Sequence, residues 1–209
     1  MPPNPIILAF DTAAAHCAAV VVQGDKTLAA RVEPMAKGQA ERLFPLIEDV
    51  LSDADITWSD LAAIAVGTGP GNFTGIRISV SAARGLALSL GIPSIGVSRP
   101  EALAFGTSSA QTAVIDARQN RVYVQDFVNG VAQSDVRIEP IEGFANQAPL
   151  LCDADVELTA TRIPTETALA NVARLAATRL NTDQPKPAPL YVRAPDAALP
   201  SDPPPTILP

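Results

Sequence analysis

An α/β fold with helices packed on a mixed sheet is what this 209-residue sequence predicts for its first half, and three observations carry the prediction. Residues 6–10, 18–23 and 27–32 are short apolar runs in close succession. The second and third are separated by Gly24-Asp25, a two-residue gap of the kind that closes a hairpin. Two further apolar runs, 62–66 and 94–97, alternate with stretches of helical periodicity at 40–51 and 74–90. The order β-β-β-α-β-α-β follows. Three adjacent strands and then alternating helices give a mixed sheet with helices on its faces.

Taken in order, the first strand ends at Asp11. The helix over 40–51 has Pro45 either near its start or kinking it. Its apolar residues Leu43, Phe44, Leu46, Ile47, Val50 and Leu51 span about 160° of the helical wheel. The strand over 94–97 is closed by Ser98-Arg99-Pro100. The second half is built differently. Residues 113–116 and 122–127 read as strands and 166–180 as an amphipathic helix, while the stretch between has no clear pattern. Nine of the 12 glycines precede residue 100. Nine prolines fall between 181 and 209, so the tail after 193 is expected to be extended or disordered. The chain thus divides into 1–100, a smaller unit over 101–193, and a proline-rich tail over 194–209.

Composition narrows the function. The chain is 47% hydrophobic and 18% charged, a globular balance. A net charge of −7 argues against a chain that holds nucleic acid by itself, because phosphate binding rests on clustered Lys and Arg. The opening MPPNPIILAFD lacks a basic n-region, and its apolar run is too short for a signal peptide or a membrane span. Cys17 and Cys152, far apart, fit free thiols in a reducing cytoplasm better than a disulfide.

The segment Gly67-Thr68-Gly69-Pro70-Gly71-Asn72-Phe73-Thr74-Gly75 looks like a phosphate cradle. A Walker loop needs G-x-x-x-x-G-K-[ST]. Here Gly69 to Gly75 is the wrong spacing, and Ile76-Arg77 stands where a Lys and a hydroxyl are required. The dinucleotide pattern G-x-G-x-x-G also fails, since its last position is Asn72. What remains is a strand-to-helix turn, with glycine for unusual backbone angles and Asn72 or Thr74 to cap the helix. A structural turn accounts for it; anion binding at the helix N-terminus is the alternative.

The helix that follows is more telling. Ile76, Val80, Ala83, Leu86, Ala87 and Leu90 form its core stripe, but the opposite face carries Ile78, Ser81, Gly85, Leu88 and Ser89. Its only charges are Arg77 and Arg84, on one edge. A helix that is small or apolar nearly all round is covered on both sides. The sheet covers one side, and a second helix, from this chain or a partner, is expected on the other.

Asp11-Thr12 after the first strand, the "GTGPGNFTGIR" loop and helix, "GIPSIGVS", "IDARQNRVYVQDF" and "APLYVR" together resemble the TsaB (YeaZ) family over residues 6–193. The resemblance implies an actin-like (ASKHA, ribonuclease H-like) fold of two lobes with the second shortened. It further implies a role in making the threonylcarbamoyladenosine of transfer RNA. In that pathway a TsaB protein is the non-catalytic partner of its paralogue TsaD, which carries the metal and transfers the threonylcarbamoyl group. TsaE, an ATPase, joins the complex, and TsaC supplies the activated adenylate.

The residues agree with a non-catalytic role. The paralogue's metal site resembles H-x-x-x-H, yet His16 is the only histidine, so a two-histidine site cannot form. Gln39 stands where many relatives carry a His. His16 is expected to be a surface or turn residue. The acidic turns Asp11-Thr12-Ala13 and Asp116-Ala117-Arg118 lack the close-approach glycine of an actin-like nucleotide clamp, so Asp11 and Asp116 read as turn caps. Residual ligand contacts would fall on Asp11, Thr12, Gly69, Gly71, Asn72, Thr74 and Asp116. Arg118 and Tyr123 are expected in lobe packing or dimer contacts. No cofactor is expected, with nucleotide conceivable only at a joint surface of the complex.

Two function classes follow. The first is a scaffold whose lobe pairs with the matching lobe of TsaD through the two long helices. Its seam would run near Phe44, Leu51, Ile78, Ser81, Gly85 and Leu88 with Arg77 and Arg84 at the edge, and the chain alone would form a homodimer. Transfer RNA would be met only through the complex. The alternative is an enzyme, an ATP-dependent phosphotransferase or a metallopeptidase-like protein of the same fold. The missing glycine turns disfavour the first enzyme and the single histidine the second.

Overall fold

The structure, a computed structural model, describes residues 4–153 and 156–192. Five strands form the first sheet: β1 (Ile6–Asp11), β2 (His16–Gln23), β3 (Lys26–Pro34), β4 (Ala63–Gly67) and β5 (Ser94–Val97), in the order β3-β2-β1-β4-β5. The β1–β2 and β2–β3 pairs are antiparallel, while β1–β4 and β4–β5 are parallel. Gly24, at φ 59, turns the β2–β3 hairpin.

Period-two alternation explains why this sheet is covered on both faces. Leu8 and Phe10 of β1 and Ile64 and Val66 of β4 face a core shared with α1 (Gln39–Asp53) and α2 (Phe73–Leu90). Their neighbours Ile7, Ala9, Ala63 and Ala65 face the other core, where Leu169, Ala170, Val172 and Ala173 of α4 (Thr165–Arg179) pack. Helix α4 therefore follows the second sheet in the chain but lies on the first. A boundary at residue 100 does not coincide with the layers.

The second sheet contains β6 (Ala110–Asp116), β7 (Arg121–Val128), β8 (Val131–Ala132), β9 (Arg137–Pro140), β10 (Leu150–Cys152) and β11 (Thr161–Arg162), ordered β11-β10-β6-β7-β8 with β9 also on β7. The short strands β8 to β11 fill the stretch that carried no pattern. Asn129-Gly130, both at positive φ, makes the β7–β8 turn.

Helix α3 (Arg99–Ala104) joins the two halves. Ser98, with Arg99 and Pro100 expected only to close a strand, instead caps this helix in a reciprocal box with Glu101. Ala102 enters the α4 core, and Leu103 and Ala104 enter the core under the second sheet. Asn171 Nδ2 donates to the Ala102 carbonyl at 2.9 Å, and Arg179 pairs with Glu101 at 2.6 Å. The proline-rich tail over 194–209 lies outside the described residues. Among the described residues no helix is long and apolar enough to cross a membrane.

Candidate functional site

Two surfaces gather the residues that the sequence singled out: the glycine loop over the β1–β2 turn, and the outer face of α2.

The glycine loop is filled by its own chain. Thr12 Oγ1 donates to the Gly75 carbonyl at 2.6 Å, the Asn72 amide donates to the Ala13 carbonyl at 2.6 Å, and Asn72 Oδ1 accepts from the Gly75 amide at 3.0 Å. A Cβ on Gly75 would lie 2.9 Å from the Thr12 carbonyl carbon and closer still to its oxygen, and one on Gly67 would overlap the Asp11 carboxylate. Gly71 rests on the Ala13 carbonyl, and the Gly69 carbonyl accepts the Arg99 amide at 2.8 Å. Gly71 and Gly75 serve backbone-to-backbone approach, while Gly67 and Gly69 make room for the Asp11 and Ile76 side chains, as a structural turn requires. Asn72 is the cap of α2, whereas Thr74 is exposed.

Asp11 lies beneath this loop at 6% exposure. Its Oδ1 accepts the Ala13 amide at 2.8 Å and meets His16 Nε2 at 3.0 Å. Burial alone would raise the carboxyl's pKa, but the His16 hydrogen bond, the charges of His16 and Arg99 and the Ala13 amide outweigh it and hold it below the ordinary 3.8. His16, expected at a surface or turn, is the first residue of β2, with its side chain only 13% exposed. The carboxylate that shields it is five residues upstream, across a turn whose closure the sequence alone does not show. A carboxyl depressed in the folded state stabilises above its unfolded pKa and loses that contribution as pH falls through the folded value. Acid unfolding of Asp11→Asn, followed by circular dichroism between pH 6 and 2, is therefore expected to show a shallower loss of stability below about pH 4 than the parent.

Arg99 closes the site from the second half. Its Nη1 donates to the Pro70 carbonyl at 2.8 Å, and Nε and Nη2 both reach Asp153 Oδ2, at 2.9 and 2.7 Å. Both side chains are about nine-tenths buried. Arg99 thus ties the glycine loop to the chain after β10, a role that no sequence pattern announced. Asp116 sits elsewhere: it is exposed, and Oδ1 accepts the Arg118 amide at 2.7 Å, which makes it a local turn cap. Tyr123 is buried in the core under the second sheet, and Arg118 is exposed. Cys17 and Cys152 are buried, and burial pushes the Cys17 thiol up to about 11.

The outer face of α2 is the second surface. Arg77, Ser81, Arg84, Gly85 and Leu88 are exposed, Leu88 at 86%, and an added Cβ on Gly85 would meet nothing within 4 Å. Ile78 is half-buried against the core, and Phe44 on α1 is 45% exposed. Leu51 corrects the expectation of a seam residue. It is 4% exposed, and Ala54, Ile56 and Trp58 of the connection after α1 pack on the same core. Beside this face runs an open groove of about 720 Å³, lined among others by Arg84, Gly85, Leu88, Ile95, Leu180 and Lys186. Arg31 and Arg42 are paired with Glu33, Asp49 and Asp53. Arg77 and Arg84 have no carboxylate partner among the described residues.

Residues 33–147, more than half of the chain, match the family model described as TsaD: tRNA N6-adenosine threonylcarbamoyltransferase. An uncharacterized protein of Mycobacterium leprae is 37% identical over 168 residues, 78% of this chain and 45% of that protein. The tRNA threonylcarbamoyladenosine biosynthesis protein TsaB of Escherichia coli is 37% identical over 126 residues, 58% of this chain and 54% of that protein. The chain thus spans about half the length of these two relatives. The solved structure of YeaZ from Pseudomonas aeruginosa superposes with a TM-score of 0.72 at 27% identity, covering 90% of this chain and 99% of that one.

Proposed function

The chain belongs to the TsaB (YeaZ) family, and from that premise we propose that it acts in threonylcarbamoyladenosine biosynthesis on transfer RNA as a non-catalytic partner of a TsaD-family protein. The observation that carries the reading is the outer face of α2. It is small and weakly charged, holds one leucine almost fully in solvent, and is flanked by two arginines without carboxylate partners among the described residues. A helix face of small residues around an exposed leucine supports the reading of a docking surface. A lobe-to-lobe pairing would cover it with the matching helices of the partner, with Phe44, Ile78, Ser81, Gly85 and Leu88 inside and Arg77 and Arg84 at the rim. In the absence of a partner the same face would close a homodimer. A TsaE-type ATPase would join the assembled pair, and transfer RNA would be met there rather than by this acidic chain alone. The glycine loop then serves as the fixed root of the docking helix.

The test is size-exclusion chromatography with light scattering on this chain mixed with the TsaD-family protein of the same organism. A stable heterodimer is expected from the parent chain. Gly85→Glu and Leu88→Asp are expected to abolish it while leaving the isolated chain folded, because neither side chain would meet the core. Normal complex formation by either variant means that the docking face lies elsewhere. Micromolar binding of ATP and magnesium to the isolated chain by titration calorimetry would favour the enzyme reading instead.

A further inference from the structure

At the N-terminal end of α2 the exposed stripe runs into an aromatic cluster built partly from the C-terminal segment. After α4 the chain passes back over the first sheet. Pro187 lies against Gly96 of β5, and the Leu190 amide donates to the Thr68 carbonyl at 2.8 Å. This brings Tyr191 beside α2, where its ring stacks on Phe73 with centroids 5.0 Å apart. Arg77 lies over the Phe73 ring at 3.7 Å, and its Nε donates to Tyr191 Oη at 2.7 Å. All three side chains stay open to solvent, Phe73 at 40% and Tyr191 at 44%.

The geometry fixes one guanidinium and leaves its working end free. Nε is committed to the tyrosine hydroxyl and one face to the phenylalanine, so the side chain is held in one orientation before any partner arrives. Neither Nη atom has an acceptor among the described residues. An arginine held in this way loses little freedom on binding a carboxylate and can meet it with both Nη donors. Aromatic and arginine side chains are also the types that carry most of the energy in protein interfaces. With Arg77 as the shared residue, the cluster continues the α2 stripe through Ser81 and Arg84 to Leu88.

We propose that Phe73, Arg77 and Tyr191 form a preorganised anchor at one end of the docking surface, which receives an Asp or Glu side chain of the TsaD-family partner against two aromatic rings. This rests on the docking-face reading above and adds to it that the face is composite, completed by a segment more than 110 residues downstream of α2's first turn. Arg77 is the contacting residue; Tyr191 and Phe73 position it and supply flat apolar area.

The experiment measures affinity for the purified TsaD-family protein by titration calorimetry at two salt concentrations. Arg77→Ala and Tyr191→Ala are each expected to weaken binding about tenfold. Tyr191→Phe, which keeps the ring and cannot detach the segment through lost packing, is expected to cost about threefold. Because Tyr191 acts through Arg77, the double alanine variant should be scarcely weaker than Arg77→Ala alone. The salt dependence of binding should flatten in Arg77→Ala and in the double variant. Leu88→Asp separates the two levels of the reading. If it abolishes the complex while the Arg77 and Tyr191 variants bind like the parent, the anchor is overturned and the docking face stands. If Leu88→Asp also binds normally, the face itself is wrong and the anchor falls with it. If Tyr191→Ala spares the protein complex but removes binding of a single-stranded oligoadenylate, the cluster is a base-stacking platform and the anchor is likewise overturned.

Discussion

Gly75→Ala is expected to destabilise the chain by about 3 kcal/mol, a fall of roughly 6–12 °C in melting temperature for a domain of this size. Alanine is the better helix former by up to about 1 kcal/mol, so propensity alone would make the substitution stabilising. The sign is set by the neighbour. The added methyl would overlap the Thr12 carbonyl, and that atom is backbone, which cannot rotate away as a side chain tip could. Gly75 cannot retreat either, because its carbonyl accepts from Thr12 Oγ1 and its amide is held by Asn72. Gly85→Ala in the same helix is the internal control. Nothing lies within 4 Å of its added carbon, so it is expected to stabilise by about 0.5–1 kcal/mol. Opposite signs for two Gly→Ala changes ten residues apart on one helix, read by thermal unfolding, would establish that close backbone approach explains the glycine loop. A stabilised Gly75→Ala would mean that the loop is open, and the anion-binding alternative would return.

The contrast also shows where sequence reading reached its limit. Spacing alone rules the segment out of the Walker and dinucleotide patterns, because both depend on residues close together in the chain. What fills the glycine surfaces is Thr12 and Ala13, some 60 residues away, and no local pattern encodes that contact. The first sheet was legible because its strands alternate or run apolar over four to nine residues and are separated by strong turn and helix signals. Strands β8 and β11 were not, at two residues each, too short for any period to appear. Helix α3 left a usable signal in Ser98 and Glu101, a capping box that outweighs Pro100 as a breaker. Leu51 failed for another reason. A helical wheel gives the width of an apolar arc but not the path of the next loop, and here that loop turns back, the Ile56 amide bonding the Leu51 carbonyl at 3.0 Å. The outer face of α2 leaves a sequence signal because it needs only the absence of charge on a helix that lies on a sheet, and Ser81, Gly85 and Leu88 on it are exposed.

Arg99→Ala is the second large effect, an expected loss of about 3–5 kcal/mol. The guanidinium serves three partners at once: Asp153 through two nitrogens, the Pro70 carbonyl, and Asp11 through its field. Removing it leaves a carboxylate nine-tenths buried with no counter-charge, and Asp153 Oδ1 already lacks a hydrogen bond among the described residues. An uncompensated buried charge costs more than the intact pair contributes, so the single variant should be worse than a variant that removes both groups. Arg99→Ala with Asp153→Ala is therefore expected to recover at least 1 kcal/mol over Arg99→Ala alone, measured as a double-mutant cycle in urea. Strict additivity would mean that the two groups are solvated separately and that the bridge does not hold the halves together. Location sharpens the expectation. Arg99 bridges the loop at the root of α2 and the chain after β10, so its loss should speed hydrogen exchange at the Asn72 and Leu190 amides before it reaches β1 and β4. Those two amides anchor α2, the proposed docking helix, and the segment that carries Tyr191. A chain with Arg99→Ala should therefore remain folded at low temperature yet bind the proposed TsaD-family partner more weakly, although Arg99 itself is nearly buried and lies outside the exposed stripe.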